Sequence, residues 1–398
     1  MLQISDMDQV TDPNSIIAFW NSEARQLPAY LYSGMLRPTP ISGDSTTLFF
    51  GQNHVPAPLN ATTDDVKANF DNETDKLQKA SYHVLGFKKG RQMSEKYMNE
   101  IRTAMYDQPN NAGLIQSLTR LTYKDQDQLL IGAQLNRELL FEQELNDGVI
   151  DLEDNGISDR QDFHMPANHR LGVNVAWNTT GAQAKNVKPI ENLNDAKRYI
   201  ADELNVNEIM AIMNDHTFLE MIHDSEIVQG VNPNTTNPQN MPVNPQAALR
   251  MVQAYTGMNI KIYDKGLAGS RFIPDGRVIL VPENTIGRLL YAPTNEQLNL
   301  QNSSDARIAN SGAGMTVTSY KSINPTGPRI IVSQKILPVI DDLQEILSID
   351  TYTSVDQGNS MYTVNPLPTG NASSSNSSSN NSSSNKGSNQ SSTSSKKN

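Results

Sequence analysis

A chain of 398 residues with a formal net charge of -11 has length for roughly two or three domains. It carries too little clustered Lys and Arg to hold nucleic acid through its phosphates. It has no cysteine, which removes disulfides, thiolate metal sites and cysteine nucleophiles together. The opening MLQISDMDQV lacks the basic and apolar stretches of an export signal. No apolar run approaches the roughly 18 residues that a membrane-crossing helix needs.

Residues 1–11 read as a loose arm. Asp12-Pro13 then opens a helix with Pro at its first position, and Ile16, Ile17, Trp20 and Ala24 give it an apolar stripe that ends near Leu27-Pro28. The segment 28–50 is broken repeatedly by Pro and Gly. Its two short apolar bursts cannot build a core, so it is expected to lie on another surface. In 51–113, prolines extend GQNHVPAPLN, and the polar stretch that follows has few anchors beyond Val66, Phe70 and Leu77. A short apolar strand from Tyr82 to Phe87 runs into a basic turn at Lys88, Lys89 and Arg91, and 93–105 reads as helical.

Residues 125–147 are dense in Leu, Gln, Glu, Arg and Ala, which predicts a long helix capped by Asp125 and closed at Asp147-Gly148. Leu129, Ala133 and Leu140 make one apolar row and Ile131, Leu135 and Leu139 another, so the helix should be covered from two directions. The period then switches. Residues 149–152 are strand-like, Asp154-Asn155-Gly156 is a hairpin turn, and 161–165 returns as the partner. In RLGVNVAW, Leu171, Val173, Val175 and Trp177 alternate at period two.

Mixed elements follow. A helix is expected at 192–204 with Ala196, Tyr199 and Ile200 on one side, a strand at 208–213, a short helix at 215–224 and a long Asn- and Pro-rich loop at 225–244. Asn244-Pro245 starts a helix that Gly257 stops. Strands are expected at 258–263, 277–281, after the Pro274-Asp275-Gly276 turn, and 287–291; two more at 315–320 and 329–336 return to the long helix, and a short amphipathic piece follows at 338–347. From Leu367 the composition turns to Ser, Asn and Gly, and 371–398 should be disordered.

His216, Glu220 and His223 share a helix face at i, i+4 and i+7, but no HExxH spacing accompanies them, and they read as a polar surface. His164 and His169, near Asp159 and Asp162, read as outward-facing residues around a hairpin. Gly312-Ala313-Gly314 is a lone GxG with no following helix, and no Ser sits on a nucleophile elbow.

ELLFEQELNDGVIDL followed by DFHMPANHRLGVNVAW resembles the major capsid protein E family of tailed bacteriophages. In that family a long spine helix carrying Glu and Gln-x-Leu runs into a Gly turn and a strand, and Asn168-His169 and Trp177 stand where its pattern wants them. PDGRVILVPENTIGRLLYAPT is the clearest further match, and the resemblance spans about 27–350. It implies an α+β fold of the Hong Kong 97 type. Its parts would be an N-terminal arm (1–50), an extended loop (51–113), a peripheral domain with the spine helix (114–190), an axial domain (191–314), a return to the peripheral domain (315–366) and a disordered tail (367–398). The implied activity is self-assembly into pentamers and hexamers of an icosahedral head in the host cytoplasm. Scaffolding protein, portal, a decoration protein and packaged double-stranded DNA bound without sequence specificity would be the partners, with no membrane, cofactor, metal or catalytic residue. Phe87, Lys88, Lys89 and Arg91 would meet acidic surface on an adjacent subunit. Two rival readings are a surface or secreted binding module with a flexible tail, and a metal-dependent hydrolase built on His216, Glu220 and His223.

Overall fold

The computed structural model describes residues 11–23, 29–50, 78–107, 112–204, 206, 208–233, 243–341, 343–355 and 361–368. Residues 369–398 of the expected Ser- and Asn-rich tail, 51–77 and 108–111 of the expected extended loop and 1–10 of the expected arm lie outside them. Helices α1 (Pro13–Glu23) and α2 (Leu31–Met35) precede β1 (Leu36–Pro40), and β2 (Ser45–Phe50) pairs with β3 (Gln78–His83). β4 (Leu85–Gln92) and α3 (Glu95–Asp107) lead into the spine α4 (Ala112–Asp147), and the hairpin β5 (Val149–Asp154) and β6 (Ile157–Asp162) precedes β7 (Arg170–Val173). Then come α5 (Pro189–Leu204), β8 (Ile209–Met213), α6 (Asp215–Ile222), α7 (Ser225–Val231), α8 (Pro245–Thr256), β9 (Asn259–Ile262), the small β10 (Gly266–Leu267) and β11 (Ser270–Arg271), and β12 (Arg277–Pro282). The chain closes with β13 (Gly287–Ala292), α9 (Asn295–Leu300), β14 (Ala306–Ser311), β15 (Met315–Ile323), β16 (Thr326–Ile340), β17 (Leu347–Ser354) and β18 (Val364–Pro366).

The spine runs 36 residues, on the order of 54 Å, and begins well before the expected start at 125. No Pro or Gly interrupts 114–131, and Asp125 lies inside the helix with its carboxylate on Arg91 instead of at a cap. α4 lies along a six-stranded sheet of order β1-β13-β16-β15-β14, with β4 on β16. The 15-residue β16 organises it, pairing with β15 through 326–334, with β13 through 335–340 and with β4 through 329–336. Leu129, Leu130 and Ala133 of the spine pack there with Met315, Val317, Ile330 and Val332, and Ile16 and Trp20 of α1 join them.

A second six-stranded sheet has the order β18-β7-β17-β12-β8-β9. Its central strands are buried on both faces, and the strand alternation divides them cleanly. Ala211, Met213, Val278 and Leu280 face the helices α5 to α8, meeting Ala196, Ile200, Met221, Val228 and Val252. Ile212, Ile279 and Val281 face the other way, toward Leu140, Phe141 and Leu145 in the last turns of the spine. The spine is therefore covered by one sheet along its middle and by the other at its end.

Four expectations are corrected. The segment 28–50 does not need a foreign surface: Leu31, Tyr32, Met35 and Leu36 enter the chain's own core, and β1 runs parallel to β13. The divisions at 190 and 314 do not follow the sheets, because β13 and β14 belong to the first sheet while β7, β17 and β18 belong to the second. The start of the expected 225–244 loop is the helix α7, capped by Asp224, which accepts from the Glu226 amide at 2.9 Å. His169 is buried and not outward-facing: a short 3-10 turn, Ala167–His169, folds its ring under so that Nδ1 lies 3.0 Å from the Ile346 carbonyl oxygen.

Candidate functional site

Phe87, Lys88, Lys89 and Arg91 sit in β4, not in a turn, opposite Gln334, Ser333, Val332 and Ile330 of β16. Period-two alternation sets Lys88 on the opposite face from Phe87, Lys89 and Arg91. Phe87 packs against the core cluster. Lys88 forms an ion pair with Glu296, whose carboxyl burial pushes up, but whose bonds from Lys88, its own amide and Ser333 bring it below the ordinary range. Arg91 bonds the Asp125 carboxylate and donates to the Asp125 carbonyl at 2.7 Å. Lys89 is exposed, and no ion pair holds it among the described residues. The structure thus gives two of the three cations partners within the chain and leaves Lys89 facing outward.

Beside Arg91, a cleft of about 610 Å³ opens between β4, α3 and the spine, with Met93, Tyr97, Leu121 and Gln126 in its walls. Leu121 is 57% exposed there. The Gln126 side chain is buried, and among the described residues neither its amide nitrogen nor its oxygen has a hydrogen-bond partner.

The densest buried chemistry lies on the last turns of the spine, where the sequence suggests only helix formers. Arg137 donates from Nε to Gln334 Oε1 at 2.9 Å, and Gln334 donates to the Ala133 carbonyl at 2.9 Å, which fixes the spine to β16. Glu138 accepts from the amides of Leu31 at 2.9 Å and Tyr32 at 3.1 Å and from the Tyr263 hydroxyl. Burial lifts its carboxyl above the ordinary range, while those donors and Lys265 draw it back. Glu144 accepts from the Ile340 amide at 2.8 Å with one oxygen, and the other has no partner among the described residues. Asn146 donates to the Glu142 carbonyl at 2.7 Å and to the Phe272 carbonyl at 2.9 Å, tying the second sheet's loops to the helix end. The available sequence signal is positional: in a helix apolar on two faces, the intervening Glu residues have no wet face left.

The cluster on α6 does not assemble into a metal centre. Glu220 accepts from the Tyr352 hydroxyl at 2.8 Å, and His223 donates from Nδ1 to the Leu219 carbonyl of its own helix at 2.6 Å. His216 Nδ1 stands 3.8 Å from Glu220. Among the described residues no three His, Cys, Asp or Glu side chains gather as a metal ligand set. Gly312-Ala313-Gly314 is the turn between β14 and β15, and its Ala313 carbonyl accepts from Arg137.

A solved structure shares this arrangement. Described as a prophage capsid protein of Escherichia coli CFT073, it aligns at a TM-score of 0.53 with 10% identity, covering 85% of this chain and 98% of that one. A phage-related protein from Bordetella bronchiseptica RB50 aligns at 0.49 with 14% identity, over 84% of this chain and 96% of its own. The first carries the fold, the Hong Kong 97-type capsid fold. No curated protein sequence matches the chain significantly. The family model described as phage major capsid protein E matches residues 45–351, and the chain belongs to that family.

Proposed function

We propose that this structural protein assembles into pentamers and hexamers that close into an icosahedral head around double-stranded DNA, with no enzymatic step. The family match over 45–351 carries the reading. Large apolar side chains at separate edges support it, notably Ile323, 92% exposed at the tip of the β15–β16 hairpin, and Met361, 81% exposed ahead of β18. Single exposed apolar groups are ordinary on a monomer, but edges that meet sister copies give them a partner.

In this reading the peripheral part is the spine with the first sheet, and the axial part is the second sheet with α5 to α8. Leu31 to Pro40 is core and edge strand of its own chain and does not serve as an arm on a neighbour. Scaffolding protein, portal and decoration protein are the further partners, and assembly takes place in the host cytoplasm.

The inter-subunit contact is assigned to β4 and the cleft beside it, through Phe87, Lys88, Lys89 and Arg91. Lys89 gives the clean test because reversing Lys88 or Arg91 also breaks a pair within the chain. Electron microscopy of the overexpressed protein, alone and with a candidate scaffold, should show rings and closed particles. Lys89→Glu should lower particle yield several-fold with the subunit's circular dichroism unchanged. A compact monomer that never forms rings or shells overturns the assembly reading, and normal yield from Lys89→Glu overturns the placement of the contact.

A further inference from the structure

Two carboxyl groups one helical turn apart, Glu138 and Glu142, occupy the joint where the spine meets α2 and the residues after β9. Glu138 is rich in donors. The Leu31 and Tyr32 amides it accepts from are the first of α2, whose own capping residue, Tyr30, offers no side-chain acceptor, so the spine supplies the cap from more than a hundred residues away. The third donor, Tyr263, is the residue after β9 and hydrogen bonds through its amide to the Met213 carbonyl at 2.8 Å, so the second sheet hangs on the same carboxylate. Lys265 adds a grip, donating to the Ala29 carbonyl with its Nζ 4.3 Å from the centre of the Tyr30 ring.

Glu142 is the opposite case. It is 2% exposed, and among the described residues neither of its carboxyl oxygens has a hydrogen-bond partner. The titratable groups around the pair are Arg137 on the spine, Tyr30 and Tyr32 on the segment entering α2, and Lys261, Tyr263 and Lys265 beyond them. Burial first, then repulsion from Glu138, holds the Glu142 carboxyl well above the ordinary range, against the pull of Lys261. Two ionised carboxylates a turn apart in a buried site repel, which favours a proton on the member without donors.

The geometry points to a proton-operated joint: with Glu138 ionised and Glu142 protonated, the spine clamps α2 and the Tyr263 end of the second sheet, and loss of the Glu142 proton to water releases both. One subunit then has two arrangements of its layers without a change in either sheet. The inference rests on the subunit alone, so its failure leaves the assembly reading untouched.

Amide hydrogen exchange on the full chain between pH 6 and 9, corrected for the intrinsic pH dependence of exchange, tests it. Protection at Leu31 and Tyr32 should fall by about tenfold or more as pH rises, while Ile212 and Ile279 inside the second sheet stay protected. Glu142→Gln, which keeps the site neutral, should hold Leu31 and Tyr32 protected throughout, although Glu144 still titrates. If that variant does not fold, Glu142→Met should also abolish the transition. Protection that is independent of pH in the unaltered chain, loss that spreads to Ile212 and Ile279 together with Leu31, or a transition that survives Glu142 replacement overturns the joint.

Discussion

Glu144 shows what a single buried carboxyl does to the pH dependence of this fold. Burial raises it to about 8, with the Ile340 amide pulling down and Asp341 pushing up. The unfolded chain releases the same proton near the ordinary value of 4.5, so the folded state holds it more tightly. That stabilisation is present in full below about 4.5 and is lost as pH rises toward 8, at up to roughly 1.4 kcal/mol per pH unit for one group. Glu138 and Glu142 are shifted the same way and add to the slope. Denaturant midpoints should therefore drop between pH 5.5 and 8. Glu144→Gln should drop less and be the more stable of the two at pH 8. Equal drops in the two proteins would refute the assignment. The sequence shows these Glu residues only as helix formers. Their burial depends on two sheets closing over one helix end, and the apolar rows hinted at that closure without saying which polar residues it would trap.

At the scale of elements, the end of the spine was legible and its beginning was not. Gly148 has φ of 65°, and a Cβ there would stand 2.5 Å from Met165 Cβ and 3.3 Å from the Met165 amide nitrogen, so both the turn and the close approach demand glycine. Its carbonyl accepts from the Phe163 amide at 2.9 Å, which anchors the chain that follows β6 to the end of the helix. Gly148→Ala should cost on the order of 2 kcal/mol or more, part from the left-handed backbone and part from the displaced Met165. An unchanged midpoint in chemical denaturation would show that the turn can relax. Asp125, by contrast, looks like a cap in sequence, and only Arg91, brought next to it by β4, explains its place inside a helix. β16 was cut short in sequence because Pro338 signals a break, whereas in the sheet it continues opposite Leu289. α2 was missed because its cap comes from Glu138, and nothing near Leu31 in sequence announces that.

For the whole molecule, the order of helix, sheets and turns was legible through the family pattern, while the division into layers was not, since both sheets recruit strands from distant stretches. Charge acts at this scale too. The chain totals -11, and Lys386, Lys396 and Lys397 are its only charges from 371 onward, so the part before them is more acidic still. Many cations of the body are already matched: Arg160 with Asp151, Arg170 and Arg277 with Asp147, Arg271 with Asp264, Arg288 with Asp341, Lys188 with Glu191 and Lys335 with Asp44. Phosphate binding draws its strength from releasing counterions at unmatched Lys and Arg, and a wall whose cations face carboxylates has few to offer. Packaged DNA would then be confined by the shell and repelled by its wall, free to slide as it is loaded. Isolated empty shells incubated with linear double-stranded DNA should retain almost none of it even near 10 mM salt, where screening extends to about 30 Å and favours any attraction that exists. Shells truncated before residue 371 should behave the same. Tight retention that weakens steeply with added salt would mean that assembly gathers unmatched cations onto one surface, and the picture of a repelling wall would be wrong.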